Sequence, residues 1–252
     1  MSELNKKSDS ELLKEMAEAN LQYGHKKSRT FPKAKAFINN NLNGVEIINL
    51  EESLISLKKA GEFLSKIAAE QSQILFVATA PGAKECVKNI AEKLGYSHVV
   101  NRWLGGTLTN YKTLSQRVNH LNDLRAKKDS GEWDKYTKKE RIGFDQEIDE
   151  LDKKFDGLQK FSRLPKALIM VDPKMHEAAL KEALRMNIPV VAVLDTDDDF
   201  KDIKYPIFAS DSIKVAIIWI MSYLSEQIEA GQNQAAKNLA EKQKSAETVA
   251  TT

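Results

Sequence analysis

Between His25 and Phe37 the chain carries Lys26, Lys27, Arg29, Lys33 and Lys35 and no acid, with Phe31 and Phe37 interleaved. Cations this dense repel one another unless a polyanion neutralises them, and interleaved aromatics can stack on bases or anchor the loop. His25 abuts this window and can donate to a phosphate or fold the loop back on itself. A solvated basic loop is the plainer alternative. A second stretch, residues 101–110, brings together Arg102, Trp103, Gly105, Gly106, Thr107, Thr109 and Asn110, and Lys112 follows. Two adjacent glycines imply φ > 0 or a close approach that tolerates no Cβ. With a guanidinium, an indole, hydroxyls and a carboxamide but no acid, the loop can hold a partner's phosphates or set the direction of the next helix. It has no base or nucleophile, and a packing turn with Trp103 under a sheet would look the same. The candidate contacts to RNA phosphates are therefore His25, Lys26, Lys27, Arg29, Lys33, Lys35, Arg102, Thr107, Asn110 and Lys112.

Signals for catalysis are weaker. The turn Thr79-Ala80-Pro81-Gly82-Ala83 leads into a helix N-terminus, where doubly wound folds bind phosphate, yet it is neither a G-x-G-x-x-G nor a Walker sequence. Asp195, Asp197, Asp198 and Asp199 follow a strand, where clustered carboxylates can hold a hard cation such as Mg²⁺; the expectation is a solvated acidic loop, or one that meets basic residues of a partner. His25, His98, His120 and His176 lack ligand spacing, and the single Cys86 forbids an internal disulfide and fits a reducing compartment. The residues thus predict no cofactor, no metal and no catalysis. A small α/β enzyme or nucleotide-binding module using the strand-end loops stays as the alternative.

These residues need elements to hold them. Ile74–Ala78, Ala167–Val171 and Ile188–Leu194 are continuous apolar runs of the kind buried on both faces of a parallel sheet. Ser97–Val100 and Pro206–Phe208 read as short strands, the latter at an edge because proline cannot donate to a ladder. Helical periodicity covers about 10–20, 50–71 and 81–94, with Gly95 as the stop. Asp172-Pro173 reads as an N-cap and first helical residue, and Ser210-Asp211 as the start of an apolar helix running to about 230. Strands alternating with helices give an α/β fold with a parallel sheet and helices on both faces. Between 111 and 163 the pattern changes. Tyr111, Leu114, Val118 and Leu121, then Phe144, Ile148, Leu151, Phe155 and Leu158, are spaced as two coiled-coil seams. A Thr137-Lys-Lys-Glu140 capping box starts the second helix, so the expectation is an inserted antiparallel coiled-coil helical hairpin. The predicted organisation is 1–44 for an N-terminal helix and basic loop, 45–110 and 164–231 for the core, 111–163 for the hairpin, and 232–252 for a disordered tail.

Composition is that of a globular chain, 42% hydrophobic and 29% charged over 252 residues, and a net charge of +2 leaves any RNA surface to local segregation of charge. The start of the chain shows no apolar signal core, and its longest apolar run, Val215–Met221, is too short for a bilayer, which predicts a cytoplasmic protein.

Arg102-Trp-Leu-Gly-Gly-Thr-Leu-Thr-Asn110 closely resembles the signature of the bacterial small ribosomal subunit protein S-two family. Tyr23-Gly24-His25 with Pro32-Lys33 and Lys35, Asn43–Leu50, Leu164–Ala167, Val171–Pro173, Ile188–Ala192 and Asp195-Thr196 are similar to its other blocks, in its order, across about 13–223. The resemblance implies a flavodoxin-like fold and a structural role in the ribosome. It implies small-subunit ribosomal RNA and other small-subunit proteins as partners, the messenger-binding protein S-one among them. Thr30-Phe31 stands where relatives carry Trp-Asn, Ala80-Pro81-Gly82 where they carry lysines, and Asp197 where they often carry Asn.

Overall fold

The computed structural model describes residues 7–161 and 163–250, with side chains described to residue 238. The chain begins with α1 (Asp9–Glu18), β1 (Tyr23–Lys26), β2 (Ile38–Leu42) and β3 (Val45–Ile48). Next come α2 (Leu50–Ala69), β4 (Ile74–Val77), α3 (Pro81–Leu94) and β5 (Ser97–Val99). The two hairpin helices are α4 (Tyr111–Asp129) and α5 (Lys138–Phe155). Then follow β6 (Ala167–Val171), α6 (Glu177–Arg185), β7 (Val190–Leu194), β8 (Tyr205–Phe208) and α7 (Lys214–Ala250).

Five strands form a parallel sheet in the order β5-β4-β6-β7-β8, so the chain reverses its direction of growth between β4 and β6. Alternation along each strand sorts the side chains into two layers. Ile74 and Phe76 of β4, Ile169 of β6 and Val191 of β7 pack with Leu57, Leu64, Val87, Ile217 and Leu224 from α2, α3 and α7. Leu75, Val77, Leu168, Met170 and Ala192 face the other way, onto Ala179 and Ala183 of α6 and the hairpin residues Leu158 and Phe161. Both faces are covered, which is why these strands read as unbroken apolar runs. Pro81 sits in the first turn of α3, and Gly95 closes that helix in the left-handed region at φ 77°.

Three features depart from the expectations. The basic window is not a plain loop: it is folded into short 3₁₀ turns between β1 and β2, and both strands pair with β3 in a small antiparallel sheet. Asn43 and Gly44 take φ 52° and 85° in the two-residue turn between β2 and β3, the Asn-Gly turn whose twist suits a hairpin. Asp172 is not an N-cap. Its φ is 59°, its carboxylate accepts from the Met175 N–H, and the helix starts five residues later at Glu177. Similarly, α7 starts at Lys214 rather than Ser210, and its backbone stays helical through Ala250, beyond the point where a disordered tail was expected. Gln232 donates to the Leu94 carbonyl and Ala235 is buried, so the first turns past 231 pack on the core.

The hairpin forms as its seams dictate. Leu114, Val118, Leu121 and Leu124 of α4 are buried, as are Ile148 and Phe155 of α5. Arg125–Asp152 and Lys128–Asp145 bridge the two helices at 2.6 and 2.7 Å, and the Thr137/Glu140 capping box is present. At the far end Trp133 and Tyr136 pack around Phe144. The return leg is joined to the sheet: the His98 N–H donates to the Gly157 carbonyl, Phe161 meets Tyr111 edge-on, and Leu158 and Phe161 are buried.

Candidate functional site

Lys26, Lys27, Arg29, Lys33 and Lys35 are all exposed, and none makes an ion pair among the described residues. The window that carries them is moulded on the segment after β7. The His25 N–H donates to Thr196 Oγ1 at 3.0 Å, and the Phe31 N–H donates to the Thr196 carbonyl at 2.8 Å. A Cβ at Gly24 would stand 2.7 Å from Thr196 Cγ2 and 3.0 Å from the Glu46 carbonyl oxygen, so only glycine lets the strand lie this close. Phe31 and Phe37 both meet Phe200 edge-on, and Phe37 stacks on Phe208 at 3.9 Å. These aromatics anchor the window and are not offered to bases.

His25 is bound to acids of the segment after β7. Its Nδ1 lies 2.7 Å from Asp195 Oδ2 and 3.5 Å from Asp197, so of its two expected roles the structure takes the folding one. Burial works against charge on this ring, but the carboxylates of Asp195 and Asp197 outweigh it and raise its pKa above the ordinary value.

The 101–110 loop is organised by an acid that no sequence pattern singles out, Glu182 of α6. Its Oε1 accepts from the Trp103 indole N–H at 3.0 Å and the Gly106 N–H at 2.8 Å. Its Oε2 accepts from the N–H groups of Leu108 and Thr109 and from the Thr109 hydroxyl, at 2.9, 3.1 and 3.1 Å. Burial disfavours this carboxylate, yet the Trp103 indole and the three backbone donors overcome that cost and hold its pKa below the usual value. Gly106 takes φ 90°, whereas Gly105 has neither a left-handed φ nor a neighbour within 4 Å. The conformational demand therefore falls on one glycine of the pair. Thr107 must be removed from the candidate contacts: it is fully buried, and its hydroxyl donates to the Leu104 carbonyl at 2.6 Å. Arg102, Asn110 and Lys112 are exposed around the loop.

The acidic segment is likewise not a solvated loop. Asp195 and Asp198 are each 1% exposed, and Asp198 accepts from the Asp195 N–H at 3.0 Å. Only Asp199 points fully into solvent, while Asp197 takes an ion pair from Lys174 at 2.8 Å. Asp211, after β8, joins them. Together with His25, Pro81, Gly82, Asp172 and Lys174, Asp197 and Asp211 line a cavity of about 290 Å³ at the C-terminal ends of the strands, beside the β4/β6 switch point where open α/β sheets bind ligands. Burial pushes the Asp198 carboxyl up to about 7 and that of Asp211 to about 8, and neighbouring acids add to both. Asp195 is also raised by burial, although the Thr196 N–H and His25 oppose the shift. His25, Asp195 and Asp211 each offer a ligand atom within 4.8 Å of one another, as do Asp172, Asp198 and Asp211. Mixed imidazole and carboxylate donors at that separation can hold a divalent ion. Sequence spacing hid this set because His25 and Asp195 lie 170 residues apart. No hydroxyl or thiol among the described residues hydrogen-bonds to the His25 ring, so the His25–Asp195 pair activates no nucleophile there. Cys86 is half-buried against the core, where burial raises its pKa.

The model of the ribosomal protein S2 family matches residues 16–231, a range that includes the basic window, the Glu182-bound loop and the acidic cavity. The chain belongs to the ribosomal protein S2 family. Small ribosomal subunit protein uS2 of Dictyoglomus turgidum is 37% identical over 222 residues, covering 88% of this chain and 90% of that protein. The uS2 protein of Dictyoglomus thermophilum is similar to the same extent, 37% over 222 residues. Membership of the S2 family gives this chain a structural role in the small ribosomal subunit. The S2 match also covers the parallel sheet from β4 to β8, and no helix among the described residues is long and apolar enough to cross a membrane.

Proposed function

We propose that the chain serves the cytoplasmic small ribosomal subunit as a non-enzymatic component that binds ribosomal RNA through backbone phosphates. The carrying observation is the set of five exposed, unpaired cations, Lys26, Lys27, Arg29, Lys33 and Lys35, on a window held rigid by Thr196 and Asp195. Arg102, Asn110 and Lys112 form a second contact area. Phosphate contacts fix position without reading sequence, so specificity comes from RNA shape. Neighbouring small-subunit proteins, the messenger-binding protein S-one among them, are the protein partners this reading implies. The organisation into 1–44, a core of 45–110 and 164–231, and a 111–163 coiled-coil hairpin goes with it. A nucleotide-binding role fits the geometry less well, because the α3 N-terminus opens onto the carboxylates of Asp172 and Asp197, which repel phosphates.

The test replaces Lys26, Lys27 and Arg29 with Ala and measures affinity for small-subunit ribosomal RNA across a salt series. Binding should weaken uniformly across RNA sequences, and the log–log salt slope should become shallower by about 0.7–0.9 per lost phosphate contact. An unchanged slope sinks the proposal, and saturable nucleotide binding by the unmodified chain would favour the enzyme class instead.

A further inference from the structure

Three backbone N–H groups, an indole N–H and a hydroxyl converge on the two oxygens of Glu182 from a single loop. Backbone donors gathered in this way make an anion-binding concavity. A carboxylate offers about four lone-pair sites, so five donors use its capacity fully. The loop that carries these donors contains no acid of its own between Asn101 and Asn110. Its anion is supplied from α6, across the chain.

We propose that Glu182 is a built-in anion and the positioning residue of the RNA-facing loop. It fills the site that a phosphate of the RNA would otherwise enter, and it fixes residues 103–109 so that Arg102, Asn110 and Lys112 are presented outward. The proposal rests on the ribosomal-RNA reading above. It assigns the loop's backbone donors to internal order and leaves RNA contact to the side chains at its rim. Gly106 at φ 90° is the backbone condition for this geometry, because it turns its own N–H onto Oε1. Thr107, whose hydroxyl closes onto Leu104, tightens the same turn from below.

The experiment compares Glu182→Ala, Glu182→Gln and Arg102→Ala in the full-length chain. It follows the Trp103 indole N–H by NMR and affinity for small-subunit ribosomal RNA at fixed ionic strength. Formate, the smallest carboxylate, is the rescue probe, with chloride at the same concentration as control. In Glu182→Ala the Trp103 resonance should shift and lose its protection from exchange. RNA affinity should fall about tenfold, the worth of one charge-assisted hydrogen bond. Formate should restore both and chloride neither, a response that a generally damaged helix would not give. If Glu182→Ala does not fold, Glu182→Gln decides: it keeps the shape but turns an NH₂ toward the donors, and it should show the same loss of indole protection. A wild-type indole signal and affinity in both Glu182 variants, or no rescue by formate, overturns the proposal. If Arg102→Ala weakens RNA binding while the Glu182 variants do not, only the role of Glu182 falls. If the wild-type chain shows no salt-sensitive RNA affinity, the ribosomal-RNA reading falls with it.

Discussion

The buried acids beside His25 should make stability fall as pH rises through neutrality. In the unfolded chain both Asp198 and Asp211 ionise near 3.8, whereas in the folded chain they hold their protons to about 7 and about 8. A folded-state pKa above the unfolded one adds stability that is complete below the unfolded pKa and is lost as pH rises through the folded value. His25, also raised, acts in the same direction. His98 and His176, lowered by burial, act oppositely, but their contribution is lost only as pH falls below the ordinary histidine value. Asp195, raised by burial, acts with His25 in the same direction, and Asp198 and Asp211 alone already give a loss between pH 7 and pH 9. Linkage gives roughly half a kcal/mol from Asp198 and between one and two from Asp211, about 2 kcal/mol together. For a chain of this size that lowers Tm by roughly 4–8 °C. The assay is thermal unfolding at both pH values, with a chelator present so that no divalent ion takes the place of the protons. Asp211→Asn, which keeps the shape and removes the ionisation, should cut the fall to about 1–2 °C and raise Tm at pH 9. A Tm that is flat or rising with pH, or an Asp211→Asn variant with the wild-type slope, would falsify the assignment of raised pKa values to this pocket. Adding Mg²⁺ after removal of the chelator should narrow the difference between the two pH values.

Other expectations follow from the close contacts. Gly24→Ala drives a Cβ against Thr196 and the Glu46 carbonyl, and should cost about 1–3 kcal/mol in chemical denaturation while also weakening RNA binding; an unperturbed variant would mean that the window is not moulded on Thr196. Gly106→Val forces a β-branched residue to φ 90° and should destabilise by about 1–3 kcal/mol, whereas Gly105→Ala, with open space around it, should stay within about 0.5 kcal/mol. Replacing 111–163 by a short linker should abolish cooperative unfolding, because it removes Leu158, Phe161 and the Gly157 acceptor of His98 from the sheet. A shorter excision between 118 and 151 should leave the cooperative transition intact, and circular dichroism during heating distinguishes the two.

What the sequence made legible was whatever repeats locally. The apolar runs at 74–78 and 167–171, the proline and glycine that bound α3, and the Thr137/Glu140 capping box all appear where residue order alone puts them. The Asn43-Gly44 hairpin turn is an equally local signal, two residues with φ 52° and 85° between β2 and β3. The site was harder to read because its decisive pairings are non-local. Glu182 looks like any exposed helix acid until Trp103 and Gly106 close on it, and Asp195 looks solvated until His25 and Thr196 cover it. Asp172-Pro173 misled for another reason: the carboxylate does bind a backbone N–H three residues on, as an N-cap does, but at φ 59° it makes a turn instead of opening the helix.

The union of His25 with Asp195 has a consequence for synthesis. The basic window leaves the translating ribosome early, but the residues that shape it are made 170 positions later. At about 5–20 residues per second, that interval is roughly 10–30 s. Throughout it β1 and β2 have β3 to pair with, but the window between them lacks the Thr196 and Asp195 contacts that complete its shape. A chain that stops before Thr196 carries the same charges without the contacts that hold His25 and Phe31 in place.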